Sequence, residues 1–125
     1  MTGREWGRLA LPPLLTSARA ARRFVVGILT QAGLDDLADD AELAVNEIVT
    51  NAILHAGTPL SVTVAPVGSG VRIAVADGSA RLPETPESGD RALSGRGLRL
   101  VAMVAGDWGV LSHDGGKTVW FELGR

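Results

Sequence analysis

Cysteine is absent from the 125 residues, which removes disulfides, thiolate nucleophiles and thiolate metal sites together. Strong charge of one sign is absent too. The formal net charge is -2, so nothing draws the chain in general toward nucleic acid or an anionic membrane. No uninterrupted apolar run reaches the roughly eighteen residues of a membrane span, and no basic segment leads into an apolar stretch of signal type. A cytoplasmic protein with no membrane attachment and no direct nucleic-acid contact is the expectation. Lysine is nearly missing, with eleven arginines to one lysine. What is present is 46% hydrophobic residues, enough for one core, and the expectation is a single domain over 1–125.

The periodic segments predict the order helix, helix, hairpin, loop, helix, hairpin, after a short edge strand between Trp6 and Pro13. From Thr16 to about Ala32 a Thr or Ser cap precedes apolar spacing through Ala21, Phe24, Val25 and Ile28, and Gly33 supplies the stop. A second helix is expected from Asp35 to His55. Acidic residues load its first turns, where the helix dipole favours them, and Gly57 and Pro59 end it. Leu60 to Ala65 and Val71 to Ala76 alternate around Gly68–Ser69–Gly70 as an antiparallel hairpin. Residues 78–97 are rich in Gly, Pro and Ser without a period, and a segment of that kind in a small domain is functional or disordered. Leu98 to Ala105 reads as a helix. Trp108 to Leu111 and Lys117 to Leu123 read as strands around Asp114–Gly115–Gly116.

Three places carry candidate chemistry. Residues 46–57, NEIVTNAILHAG, put Glu47, Asn51 and His55 four residues apart. At about 100° per residue these three share one stripe beside an apolar face of Leu43, Ile48, Val49, Ala52 and Ile53. The stripe suits either a helix edge in water or magnesium-nucleotide chemistry, since Mg²⁺ takes one or two protein oxygens and completes its shell with phosphate and water. Asp77–Gly78 suits a turn at a strand end. It equally suits an acceptor for an exocyclic amine, with Gly78 letting backbone approach a ring. Gly95–Arg96–Gly97–Leu98 suits any tight turn, or an anion site of bare N–H groups at a helix start.

Taken in order, Glu47-Ile-Val-Thr-Asn51-Ala52-x-x-His55, Asp77-Gly78, Gly95-x-Gly97-Leu98 and Gly116-Lys-Thr118 resemble the histidine-kinase-like (GHKL, or Bergerat) ATPase domain. More closely, the chain resembles the stand-alone anti-sigma-factor serine/threonine kinases of Gram-positive bacteria. The resemblance covers roughly 16–123. Ser79 stands where the family pattern has a glycine.

The resemblance implies an α+β fold, a two-layer α/β sandwich with a mixed, mainly antiparallel sheet. It implies ATP and Mg²⁺ as cofactors. Asn51 would coordinate the metal, Asp77 and Gly78 would meet the adenine, and Gly95, Arg96, Gly97 and Leu98 would hold phosphates. Thr118 would support the adenine-site water network, and Glu47 would be the general base toward a partner's serine. It implies as partners a sigma factor and a STAS-type anti-anti-sigma protein, and a homodimer. Three functional classes remain open: a protein kinase that regulates transcription by partner switching, a nucleotide-binding regulator without transfer, and an interaction domain that has lost ATP.

Overall fold

Alternation at Leu60, Val62 and Val64, and again at Val71, Ile73 and Val75, gives each strand one buried face, as period-2 geometry requires. The computed structural model describes residues 4–79 and 99–124. Its strands are β1 (Gly7–Leu11), β2 (Leu60–Val67), β3 (Gly70–Asp77), β4 (Asp107–His113) and β5 (Gly116–Leu123). Its helices are α1 (Thr16–Gln31), α2 (Ala38–Asn51) and a helical segment, α3, described over 99–104.

The five strands form one sheet in the order β1-β2-β3-β5-β4. All four pairings are antiparallel. β1 is an edge strand, as the two prolines that follow it suggest. Both hairpins turn on two residues, with Gly68 at φ 55° and Gly115 at φ 75°, where a side chain would be strained. Both strands of the first hairpin run longer than their alternation alone indicates, so Asp77 belongs to β3 rather than to a turn beyond it.

The helices cover one face of the sheet. Val25 and Leu29 of α1, Ala41, Val45, Ile48 and Val49 of α2, and Val101 of α3 close over Val62, Val64, Ile73, Val75, Val119 and Phe121. The fold is therefore an α+β two-layer sandwich. On the other face, Trp120 lies over Gly109, where a Cβ would come within 2.9 Å of the indole. Arg72 stacks on the same ring at 4.3 Å while its Nε donates to Glu122 at 2.8 Å.

Local details differ from the sequence pattern where side chains found other partners. No side chain caps α1; Ser17 instead donates its hydroxyl to the Pro12 carbonyl at 2.7 Å. The expected Asp35–His55 helix is three pieces: a 3₁₀ turn at Asp35–Leu37, α2, and a π turn at Ala52–Ala56 that ends on Gly57 at φ 67°. Leu43 is 39% exposed and lies off the apolar face. It lines a groove of 330 Å³ with Arg22, Asp39, Glu42 and Asn46.

Candidate functional site

Helix α2 has two flanks. On one, Asn46 accepts a hydrogen bond from Arg22 of α1 at 2.6 Å, with Glu42 also 3.8 Å from that guanidinium. This binds the two helices together and assigns Arg22 an internal partner. Glu47 and Asn51, at about 100° per residue, fall on the other flank, turned away from α1. Both are partly buried, one helical turn apart. His55 lies in the π turn that follows and is exposed. Single π turns are frequent at functional sites, and here one begins directly after Asn51.

The chain then leads from Gly57 through Thr58 into β2, whose first residue, Leu60, is the cross-strand partner of Asp77. The end of α2 and the end of β3 thus meet at one end of the sandwich. Gly78 fastens them, because its N–H donates to Thr58 Oγ1 at 2.8 Å and a Cβ there would press on that hydroxyl.

Asp77 is buried and points to the helix-covered face together with Val75 and Ile73. Its Oδ1 accepts from the Ser79 N–H at 2.9 Å. Lys117 Nζ reaches both oxygens, at 3.1 Å and 2.9 Å. The register explains the meeting: Asp77 pairs with Lys117 across β3 and β5, and cross-strand partners share a face. The backbones come close because position 116 is glycine; a Cβ there would collide with the Asp77 carbonyl. Thr118 pairs with Ala76 and therefore lies on the opposite face, where its hydroxyl meets His113 Nε2 at 3.2 Å. The structure brings Lys117, not Thr118, to Asp77.

Glu47 and Asn51, in the last turns of α2, and Asp77 and Gly78, at the end of β3, lie toward the same end of the sandwich, whereas Thr118 lies beside them on the opposite face of the sheet. Gly95, Arg96, Gly97 and Leu98 lie outside the described residues. Sequence reading missed Lys117 and Thr58. A signal existed for the first, since the chain's single lysine stands next to Thr118 in the last motif, but only strand register turns it toward Asp77.

Comparison with known proteins agrees with this architecture. The histidine kinase-like ATPase domain matches residues 11–123. A solved structure of the RsbU and RsbW domains of Rv1364c from Mycobacterium tuberculosis is similar, with a TM-score of 0.70 at 21% identity. The similarity covers 94% of this chain and 32% of that one, so the chain spans about a third of its relative's length. No curated protein sequence matches the chain.

Proposed function

The chain belongs to the histidine kinase-like ATPase family, and from that membership we propose that it is an ATP-dependent serine/threonine kinase acting on an anti-anti-sigma partner. The observation that carries the reading is the placement of Glu47 and Asn51 on the α2 flank turned away from α1, at the same end as Asp77. A carboxylate and an amide one turn apart can serve a phosphoryl group and a nucleophile together.

The residues present fit a magnesium nucleotide. Asn51 offers one amide oxygen of the kind Mg²⁺ accepts beside phosphate and water. Asp77 keeps an acceptor position for a base amine, and the ammonium of Lys117 has a donor to spare beside it. Bound there, Mg-ATP supplies a γ-phosphoryl group for transfer. With the nucleotide bound, Glu47 would orient the partner's serine hydroxyl and take its proton, the γ-phosphoryl group passing to that oxygen as its bond to the departing ADP breaks. Asn51 would hold the Mg²⁺ that neutralises charge at the phosphates, and Gly78 keeps the floor beside Asp77 free of a side chain. Transfer of this kind rests on positioning and charge neutralisation rather than covalent chemistry by the protein, which suits so small a set of groups.

The partner proposed is a STAS-type anti-anti-sigma protein, with a sigma factor as the competing partner and a homodimer as the working form. The similarity to the RsbU and RsbW domains of Rv1364c supports this choice. The test is incubation with γ-labelled ATP, Mg²⁺ and candidate STAS-type proteins. Label on a serine or threonine of the partner is expected. Mg-ATP binding without label on any cognate partner replaces the kinase by a nucleotide-dependent regulator.

A further inference from the structure

Lys117 is the one lysine of the chain, and its side chain is 7% exposed. An ammonium carries three donors. Among the described residues its hydrogen bonds go to one side chain, Asp77, at 2.9 Å and 3.1 Å. At least one N–H is left without an acceptor among the described residues, in a site nearly closed to water. Asp77 is 2% exposed, and of its roughly four lone-pair positions three are taken, by Lys117 on both oxygens and by the Ser79 N–H on Oδ1. A spare donor and a spare acceptor therefore stand side by side, held by two strands in fixed register. Buried polar groups in this condition are costly without a partner, and the cost is relieved by a ligand edge that presents an acceptor next to a donor.

We propose that Lys117 is a specificity-determining residue that reads the base, donating to the adenine ring nitrogen that flanks the exocyclic amine accepted by Asp77. The inference rests on the nucleotide reading above and goes beyond it by naming a second base-reading group. Adenine presents its amine beside a ring acceptor on either edge, N7 on one and N1 on the other. Guanine places a carbonyl oxygen where adenine has the amine, beside an N1–H donor on one edge and a second acceptor, N7, on the other, so on either edge Asp77 would face an acceptor. Asp77 and Lys117 cannot exchange places to suit it, because each is anchored on its own strand. A lone carboxylate would read the amine only; the pair reads the amine and its neighbour.

The experiment is calorimetric titration of the full chain with Mg-ATP, Mg-GTP and two ATP analogues in which N1 or N7 is replaced by CH. In the parent protein one of the two deaza analogues is expected to bind about tenfold weaker than ATP or worse, because it leaves the ammonium unpaired. In Lys117→Met that gap should close, while in Lys117→Gln, which keeps a donor, part of it should remain. A purely structural Lys117 would alter stability without coupling to a ring atom. Equal affinity of both analogues and ATP in the parent protein overturns the proposal, and needs no variant to fold. Persistence of the gap in folded Lys117→Met overturns it as well. No binding of Mg-ATP by the parent protein is a different failure, that of the nucleotide reading itself.

Discussion

Lys117 Nζ stands 2.9 Å from Asp77 Oδ2 and 3.1 Å from Oδ1, although forty residues separate the two in the chain. Their burial makes the pair matter for stability as well as recognition, since removing one partner strands a charge away from water. Lys117→Met is expected to lower unfolding free energy by about 3–5 kcal/mol, the usual effect of breaking a buried pair from one side. Adding Asp77→Asn should restore a large part of it, because the orphaned carboxylate becomes a neutral amide. Urea denaturation of the two variants measures both effects. A loss below about 1 kcal/mol in the single variant would class the pair with exposed ion pairs.

Glu47→Gln separates chemistry from binding. The substitution preserves size and helix propensity on the α2 flank but removes the proton acceptor. Transfer to the partner should fall by about a hundred to ten-thousand fold, while Mg-ATP affinity stays close to that of the parent. Single-turnover transfer and calorimetry on the same preparation provide the check, and undiminished transfer assigns the base elsewhere.

Asn51→Ala tests the metal ligand. Asn51 is partly exposed and the apolar face of α2 lies elsewhere, on Ala41, Ala44, Val45, Ile48 and Val49, so the fold should persist. The magnesium dependence of ATP binding should be lost. Titrations with Mg²⁺ and with chelator, compared between parent and variant, show it. An unchanged magnesium effect removes Asn51 from the metal site.

Thr118→Val is expected to do little. Its hydroxyl meets His113 on the face away from the helices, and substitutions at such positions usually stay within about 0.5 kcal/mol. Nucleotide affinity should be nearly that of the parent. A marked loss would mean that β5 pairs with β3 one residue out of the register described here.

The candidate site was legible in the sequence to the extent that it is local. Glu47 and Asn51 are four residues apart on one helix, and helical period alone puts them on a common flank. Asp77 was visible as the end of an alternating run. The same reading put Leu43 on the buried face and ran one helix from Asp35 to His55. It could not register that Asn46 is taken by Arg22, because that depends on a neighbour outside the segment, and it did not show that the helix widens after Asn51.

The sequence by itself determined which segments are helix and strand, where glycines turn the chain, and which residues could carry chemistry, since these follow from spacing and backbone freedom within a few residues. Tertiary structure alone decided that β5 enters between β3 and β4 and in what register. An alternating strand specifies two faces but not its partner. A shift of one residue exchanges those faces, so the choice between Lys117 and Thr118 as the neighbour of Asp77 was made by the packing of Val119, Phe121 and Leu123 into the core.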